Sequence, residues 1–585
     1  MRGGNVILQT LVKYYEDLRK QEKIPSSVWG QTRVVFGLNL GENGEVLSLL
    51  PLKVAKQRGK KTVYEAREFE VPQPVKRSVD IAPNFLCDNS TYVFGIDEKG
   101  KQDRSRKCFY AFRDFHVKMF QKVQGAVARA VVLFLENWEP EQAEQCTWFS
   151  ENRKELMAGG NILFFYKGEP VTKEVSIREC WQEYYNNLNG IKDGLCMVTG
   201  QKAHIIAVHP IIKGVYGAQA MGTSLVSFNA PAFCSYGKEQ GKNASVGEYA
   251  AMAYGAALNY LLNDREHTRT IGDTTVVCWV EGGEEIYQDV SVAAMFGAEE
   301  EGGITDQELS AIFDAIKKGN PIELKEKMLE TDKRFYILGV APNAARLSIR
   351  FFWQDSFGSM LKNISCHYER LEIVKPAFDN VEKLPIRRLL WETINQNAKD
   401  KSASPQMAAD TLKSILTGGR YPASLLNGVM LRICAEKKVT RGRAAILKAY
   451  YLNNEHTQCP REVLQMELNE QSTNVPYMLG RLFAVLEHIQ QEANPGINAT
   501  IKDKYFNSAA ATPAQIFPLL LNLSQKHLRK LKDEGSRITF NRRMQEIMED
   551  MGQEFPARMT LPQQGSFYLG YYHQTQKRYQ KKEEK

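Results

Sequence analysis

A change in hydrophobic pattern near Leu384 constrains the fold more than any other feature of the sequence. Before this residue, short runs of β-branched and aromatic residues alternate with helical stretches, and after it only helical periodicity remains. Strands followed by a long series of helices are typical of an α+β protein. We therefore predict a mixed α/β body with antiparallel hairpins at residues 1–383, a helical connecting region at 384–460 and an all-α C-terminal helical bundle at 466–585.

Turn residues between apolar runs predict the elements of the first part. Glycine between two strand-like runs favours a β-hairpin, once at Gly41–Gly44 and again at Lys167–Gly168. Ser245 and Glu248 have the spacing of a capping box, so an alanine-rich helix is predicted to begin there. The other predicted elements are a helix at 6–21, strands at 204–208 and 275–280, and two strands at 334–340 and 345–353 joined by APNA.

Apolar residues at helical spacing define the last part of the chain. One predicted helix has a single apolar face, formed by Leu479, Leu482, Phe483, Leu486 and Ile489. Such a stripe is typical of a helix that packs in a bundle. Further helical segments are predicted at 386–398, 406–417, 423–435 and 440–452.

Composition and motifs argue against several classes of protein. No apolar stretch reaches the roughly 18 residues that cross a bilayer, and the first residues form no signal peptide, so a soluble cytoplasmic protein is expected. The ten cysteines include no CxxC pair, which is typical of reduced thiols. Because no phosphate loop, dinucleotide fingerprint or catalytic metal motif is present, we expect neither an enzyme nor a cofactor.

Two groups of residues leave catalytic or metal-binding alternatives open. Cys196, His204, His209 and Cys234 are zinc-type ligands, but no two of them have the short spacing of a zinc knuckle. The glutamates within Glu281–Glu285 can support acid–base chemistry, and with His209 they would suit an unrecognised nuclease or RNA-processing enzyme. Solvated acidic loops are the ordinary interpretation of such glycine-flanked glutamates.

Basic residues cluster in three places, although the net charge of +8 is mild. Residues 53–77 carry eight lysines and arginines, and QRGKK at 57–61 is predicted to be a flexible basic loop. A second cluster lies at 99–107, and a third, Lys526 to Lys532, follows the apolar face of a helix. Such clusters suit contacts with phosphate. The alternatives are a solvated loop and, for the third cluster, support of a helix C-terminus.

The run from His209 to Gly241 differs in kind, because it combines many glycines with hydroxyl, amide and aromatic side chains. Small residues let the backbone approach a ligand, and amide side chains can read base edges. Aromatic rings such as Phe228, Phe233 and Tyr236 can stack on bases. A long Ω-type loop packed on its own polar groups is the alternative, and residue chemistry alone leaves both open.

The same run carries a family resemblance. CMVTGQ at 196–201 and HPIIKGVYGAQAMGTSLVSFNAPAFCSYGKEQ at 209–240 resemble the signature of the large subunit of the type I-C CRISPR Cascade complex. The resemblance continues in order, nearly end to end, through the stretches at 7–18, 74–97, 335–358, 480–490 and 561–574. The chain departs from the family in the extra MRGG before Asn5, which is consistent with an upstream start codon.

The resemblance implies a non-catalytic subunit of a crRNA-guided surveillance complex. It implies recognition of the protospacer-adjacent motif on double-stranded DNA, help in opening the duplex and holding the displaced strand, and recruitment of a helicase–nuclease. The implied partners also include crRNA and the Cascade backbone and crRNA-processing subunits. A small subunit, translated separately from Met466, is implied as well.

The resemblance does not transfer the motif-reading residues, so candidates are chosen by their chemistry. The candidates within the run are Lys213, Gln219, Ser224, Asn229, Tyr236, Lys238 and Gln240, and those of second rank are Lys76, Arg77 and Asn89. The candidates for contact with the nucleic-acid backbone are Arg58, Lys60, Lys61, Lys526, Arg529 and Lys530. The first three would also suit a wedge that enters the DNA duplex. An architectural scaffold, in which the run packs against a neighbouring subunit, is the remaining alternative.

Overall fold

The chain mixes sheets and helices in its first part and continues with helices alone. The computed structural model describes residues 3–24, 29–58, 61–74, 81–97, 102–188, 193–298, 303–399, 401–549, 551 and 554–579. Within these residues all strands end by Ser356, and only helices follow. The predicted α+β class is therefore confirmed. In the same residues, no helix combines the length and the apolar character needed to cross a membrane.

The chain divides into two compact units. The N-terminal unit consists of Met1–Pro210 and Val226–Tyr260, and the C-terminal unit consists of Ile211–Leu225 and Leu261–Lys585. The boundaries predicted after residue 383 and before residue 466 both fall inside the C-terminal unit. Independent folding of residues 466–585 therefore stays a prediction.

A mixed sheet is the framework of the N-terminal unit. Its central strand, Trp29–Leu40, pairs antiparallel with Lys61–Pro72 and parallel with Asn161–Tyr166. The hairpins predicted at Gly41–Gly44 and Lys167–Gly168 are both confirmed. The strands of this sheet in the described residues are Trp29–Leu40, Val46–Pro51, Lys53–Arg58, Lys61–Pro72, Cys87–Asp88, Asn161–Tyr166 and Glu169–Pro170.

The described residues of the segment predicted to be a flexible basic loop belong to two paired strands. The strands Lys53–Arg58 and Lys61–Pro72 pair antiparallel, and Arg58 lies opposite Lys61. The prediction was wrong for Gln57, Arg58 and Lys61, because the β-branched and aromatic run Thr62–Tyr64 favours a strand. Gly59 and Lys60 lie outside the described residues.

Two other local predictions in this unit were wrong, and both concern contacts between segments that are distant in the sequence. No strand forms at 204–208, where only Ile205 makes an isolated bridge, to Gly247. The following helix begins at Glu248, so Ser245 does not cap it. Ser245 has a positive φ of 48°, and its carbonyl accepts a hydrogen bond of 2.9 Å from the N–H of Met197. Pairing with a distant segment therefore replaces the local cap.

Helices of the N-terminal unit pack on its sheet around a neutral, buried histidine. The N–H of Leu86 donates to His116 Nε2 at 2.8 Å, and His116 Nδ1 lies 2.7 Å from the carbonyl oxygen of Phe112. Nδ1 therefore carries the proton, and burial lowers the pKa of His116 to about 4.

The α-helices are Gly3–Lys20, Ser90–Val93, Gln102–Phe120, Ala126–Asn137, Thr147–Met157, Val175–Leu188 and Glu248–Asn263. The shorter elements are the strand pair Gly194–Leu195 and Lys202–Ala203, and the 3₁₀ turns Pro140–Gln145, Val171–Lys173, Pro231–Phe233 and Gln240–Asn243.

A second sheet lies in the C-terminal unit. Arg334–Asn343 and Arg346–Ser356 form the hairpin predicted around APNA, and Thr274–Val280 pairs antiparallel with the first of them. These predictions are confirmed. The order of strands across the sheet, in the residues that the structure describes, is Ile211–Ile212, Thr223–Ser224, Arg346–Ser356, Arg334–Asn343, Thr274–Val280 and Arg269–Ile271. A separate pair is formed by Ile322–Leu324 and Lys327–Leu329.

Helices cover this sheet and continue to the end of the described chain. Three of the four segments predicted between 386 and 452 are confirmed, but the first ends at Trp391, where the hydroxyl of Thr393 donates to the carbonyl of Leu390. The α-helices are Glu285–Phe296, Asp306–Lys318, Phe357–Leu371, Ile386–Trp391, Pro405–Thr417, Ala423–Glu436, Arg441–Asn453, Val475–Ala493, Ile501–Ala511, Pro513–Leu528, Glu534–Glu549 and Leu561–Lys577. The 3₁₀ turns are Glu455–Thr457 and Arg461–Val463.

One hydrophobic core runs through the C-terminal unit, from Ile271 to Tyr572. Residues after 466 are tied to earlier ones by hydrogen bonds as well: the N–H of Val374 donates to the carbonyl of Met466 at 2.9 Å. The hydroxyl of Tyr572 donates to the carbonyl of Val374 at 2.7 Å. In the full chain, the predicted bundle therefore shares its interior with the helices that precede it.

Two glycines let the helices Val475–Ala493 and Leu561–Lys577 approach closely. A methyl group on Gly570 would lie 2.0 Å from the carbonyl oxygen of Tyr477, and one on Gly480 would lie 2.0 Å from that of Phe567. The reciprocal arrangement means that each helix presses its backbone against the other at a position where only hydrogen fits.

A histidine held by two carboxylates joins a helix to the edge of the second sheet. His267 is buried, with Nδ1 2.5 Å from Asp264 and Nε2 2.7 Å from Asp289. Burial opposes the charged imidazolium, but hydrogen bonds and attraction from the two carboxylates outweigh it and raise the pKa of His267 to about 9. The ring is therefore charged at neutral pH.

Candidate nucleic-acid interface

The run His209–Gly241 is shared between the two units. Residues 211–225 belong to the C-terminal unit, and residues 209–210 and 226–241 belong to the N-terminal unit. The predicted motif-reading residues therefore fall into two groups, each held by its own framework.

The C-terminal unit holds its part of the run as a small hairpin on the edge of the second sheet. Ile211–Ile212 pairs antiparallel with Thr223–Ser224, and the N–H of Ser224 donates to the carbonyl of Ala345 at 3.1 Å. Between these strands, the N–H of Tyr216 donates to the Oγ1 of Thr275 at 3.0 Å. Gly222 closes the loop with a positive φ of 92°, where a side chain would lie 2.3 Å from Ile211.

Three of the predicted motif-reading residues lie on this hairpin. Lys213 and Gln219 are exposed, and Ser224 is half-buried in the strand. Sequence reasoning missed Tyr216 and Met221, whose side chains are 65% and 84% exposed. Large apolar side chains beside glycines in a polar run are the signal that was available for them.

The N-terminal unit holds its part of the run as a polar loop, residues 235–240, which we name the Tyr236 loop. The base of this loop is anchored at Gly241, whose N–H donates to the carbonyl of Ala207 at 2.7 Å. A side chain on Gly241 would lie 2.3 Å from the carbonyl oxygen of Ile206, so only glycine fits there. The loop is thereby held at its return to the body of the unit.

Four predicted motif-reading residues belong to this part of the run. Tyr236, Lys238 and Gln240 are brought together on the Tyr236 loop, and Asn229 precedes it; the side chains of all four are exposed. Sequence reasoning missed Asn243, which lies just beyond the run and bonds to the loop backbone. No local pattern identifies Asn243, because its bonds are set by the folded path of the loop.

The second-rank candidates and the hairpin candidates are only partly described. Asn89 is half-buried and caps the helix Ser90–Val93, since its side-chain oxygen accepts from the N–H of Thr91 at 3.1 Å. Arg58 and Lys61 lie at the paired ends of the basic hairpin. Lys60, Lys76 and Arg77 lie outside the described residues.

The third basic cluster lies at the end of the helix Pro513–Leu528. Lys526, Arg529 and Lys530 are all exposed there. The ammonium of Lys530 lies 3.5 Å from the side-chain oxygen of Asn494, which is the weak limit of a hydrogen bond. The positions suit both contact with phosphate and support of the helix C-terminus, so the two interpretations stay open.

Two of the groups named for the catalytic alternative, His209 and Glu284, have partners within the fold. His209 is buried and shares a hydrogen bond of 2.8 Å with the hydroxyl of Tyr254, and burial lowers the pKa of His209 to about 4. Glu284 forms an ion pair of 2.8 Å with Lys333. Across the described ranges, no three His, Cys, Asp or Glu side chains are arranged to hold a metal ion.

Comparison with known proteins identifies a family for the chain. No curated protein matches the chain. The family described as "CRISPR-associated protein (Cas_Csd1)" matches residues 11–579, nearly the whole length. This match agrees with the resemblance carried by the His209–Gly241 run and by the stretches on either side of it. The chain therefore belongs to the CRISPR-associated Csd1 family.

Proposed function

We propose that the protein is the large subunit of a type I-C crRNA-guided surveillance complex. In this role it recognises the protospacer-adjacent motif on double-stranded DNA, helps to open the duplex and recruits the helicase–nuclease. The observation that carries the proposal is family membership over residues 11–579 together with the exposed side chains of the His209–Gly241 run. The guide RNA reads the target by pairing, so the protein needs to read only a short motif.

The chemistry of the exposed groups supports motif reading. Gln219, Asn229 and Gln240 carry amides, which can pair with the donor and acceptor groups of a base edge. Lys213 and Lys238 can donate to guanine or to phosphate. A framework of strands and anchored loops supports these side chains, and such a framework reduces the entropy lost when DNA binds.

The basic hairpin supports contact with the DNA backbone and opening of the duplex. Arg58 pairs with Lys61 at the described ends of the two strands, and Lys60 lies between these residues in the sequence. Contacts from lysine and arginine to phosphate add affinity for every sequence. The exposed cluster Lys526, Arg529 and Lys530 would extend such contacts along the nucleic-acid backbone.

We further propose that the subunit is not an enzyme and that it acts in the cytoplasm through its partners. Burial of His209 and the ion pair of Glu284 support the absence of a nuclease centre built from them. The partners are the crRNA, the Cascade backbone and crRNA-processing subunits, the helicase–nuclease and the displaced DNA strand. A small subunit made separately from Met466 belongs to the same proposal.

Selection from a pool of duplexes tests the proposal. The full chain is incubated with labelled duplexes that carry a randomised segment, and the bound fraction is sequenced. Enrichment of one short motif is expected, and absence of any enrichment would contradict motif recognition. Gln219→Ala and Asn229→Ala should then reduce discrimination, whereas a scaffold that packs the run against a subunit would leave it unchanged.

The same preparation separates the proposal from a nuclease. The pure chain is incubated with labelled RNA and DNA in the presence of Mg²⁺ or Mn²⁺. No cleavage is expected. Metal-dependent cleavage that His209→Ala abolishes would overturn the proposal that the subunit is not catalytic.

A further inference from the structure

The Tyr236 loop has a conformation that its own packing does not explain. Tyr236 has a positive φ of 54° and Gln240 one of 46°, although an aromatic side chain disfavours this region of backbone conformation. Among the described residues, Tyr236 is the one aromatic residue with such a φ. Its side chain is 99% exposed, so the strained backbone is not compensated by burial of the ring.

Leu86 provides a useful contrast within the same unit. Leu86 also has a positive φ, of 64°, but its side chain is fully buried and its N–H donates to His116 at 2.8 Å. Packing and hydrogen bonding therefore explain the conformation of Leu86. The conformation of Tyr236 is held by hydrogen bonds around it, among them one of 3.0 Å from the N–H of Lys238 to the carbonyl of Ser235, but its side chain gains no burial in return. A conformation that the surrounding structure holds in this way is typical of positions used for binding.

Asn243 holds the Tyr236 loop in place. Its side-chain oxygen accepts from the N–H of Ser235 at 3.0 Å. Its side-chain amide donates to the carbonyl of Lys238 at 3.1 Å and to that of Gln240 at 3.0 Å. One side chain thus ties the start, the middle and the end of the loop, and Tyr236 lies between the first two ties.

We infer that Asn243 is a positioning residue, which fixes the Tyr236 loop so that the ring of Tyr236 stacks on an unpaired base of the bound DNA. The inference rests on the proposed function and names the group that the loop contacts. A fully exposed ring offers a flat face, which suits stacking on any base, and pre-ordering the loop removes part of the entropic cost of binding. Gly237, with open space around it, leaves room for a base beside the ring.

Binding of labelled duplex DNA that carries a short unpaired segment to the full chain tests the inference through a double-mutant cycle. Tyr236→Ala should weaken binding about tenfold, and Tyr236→Phe should bind within about twofold of the unchanged protein, since stacking uses the ring and not the hydroxyl. Asn243→Ala should also weaken binding. The double variant should bind no worse than Tyr236→Ala alone, because Asn243 acts through Tyr236.

Matched controls and a cross-link locate the effect. Asn152 makes a comparable side-chain bond, 3.0 Å to the carbonyl of Trp148, so Asn152→Ala controls for loss of one such bond. Tyr579 is another exposed tyrosine, and Tyr579→Ala controls for loss of an exposed ring. DNA that carries 5-iodouracil at successive positions should cross-link to Tyr236 on irradiation, and the cross-link should weaken in Asn243→Ala.

The outcomes separate the inference from the proposed function. If the unchanged chain binds no DNA motif, the proposed function is wrong and the inference falls with it. If the chain recognises a motif but Tyr236→Ala binds as well as the unchanged protein, only the inference is overturned; a ring that docks on a neighbouring subunit would give this result. Additive losses in the double variant would likewise overturn the positioning role of Asn243.

Discussion

The reciprocal glycine contact between two C-terminal helices gives a sharp test of the packing. In Gly570→Ala, the new methyl group would meet the carbonyl oxygen of Tyr477 at 2.0 Å, and real contacts of this kind are at least 3.0 Å. The helices Val475–Ala493 and Leu561–Lys577 would therefore have to separate by about 1 Å at a point where both are buried. Forcing extra methyl groups into a packed interior costs about 1–3 kcal/mol, and sometimes more.

The higher helix propensity of alanine offsets part of this cost. Alanine is favoured over glycine in a helix by about 1 kcal/mol. Because the clash involves a backbone carbonyl that cannot rotate away, we take the upper part of the range and expect a net loss of about 2 kcal/mol. Local opening of the two helices would then become about 30-fold more frequent, since 1.4 kcal/mol corresponds to a factor of ten.

Hydrogen exchange followed by mass spectrometry measures this opening directly. Peptides from the two helices should exchange about 30-fold faster in Gly570→Ala than in the unchanged chain. Gly535→Ala is the matched control, because the nearest atom to its methyl group would be the flexible carboxylate of Asp533 at 3.5 Å. If both variants exchange as the unchanged chain does, the tight helix contact is not present and the reasoning is refuted.

Three further outcomes are expected. The carboxylates around His267 raise its pKa from 6.5 to about 9, so the stability they add is complete below pH 6.5 and is lost as pH rises through 9. Urea denaturation between pH 7 and pH 10 should show a loss of about 1–2 kcal/mol, allowing for solvent screening of the part-exposed carboxylate, and a smaller loss in Asp289→Asn. Gln219→Ala should reduce discrimination between DNA motifs in gel-shift titrations while leaving the salt dependence of binding unchanged. Lys60→Ala and Lys61→Ala should weaken binding to all sequences and lower the salt slope by about one each.

Local patterns were sufficient to predict several of the helices and hairpins. The hairpin turn at Lys167-Gly168 and the apolar face of the helix Val475–Ala493 were both predicted from neighbouring residues, because periodicity and turn chemistry act over a few positions. The failures came where distant segments override local preference. Ser245 bonds to Met197 instead of capping a helix, and no pattern within ten residues of Ser245 contains that information.

The candidate site was predictable in composition but not in arrangement. The sequence indicated which side chains of the His209–Gly241 run can contact DNA, since amide, basic and aromatic groups are evident from residue type. It did not indicate that Gln219 and Tyr236 lie in different units, because this division depends on the pairing of Ser224 with Arg346, more than a hundred residues away. The role of Asn243 depends in the same way on the folded loop.

Both halves of the run are suited to contact with another molecule, although different hydrogen bonds hold them. Next to Gln219, the side chain of Met221 is left in water on a hairpin tied to Thr275, and in the other half the ring of Tyr236 is left in water on a loop tied by Asn243. A loop that packed on its own polar groups would turn its large side chains inward, because burying them is the main gain available to it. Both halves instead hold the backbone through hydrogen bonds and leave the side chains of Met221 and Tyr236 exposed. Interaction with another molecule is the arrangement in which both the bonds and the exposure are useful.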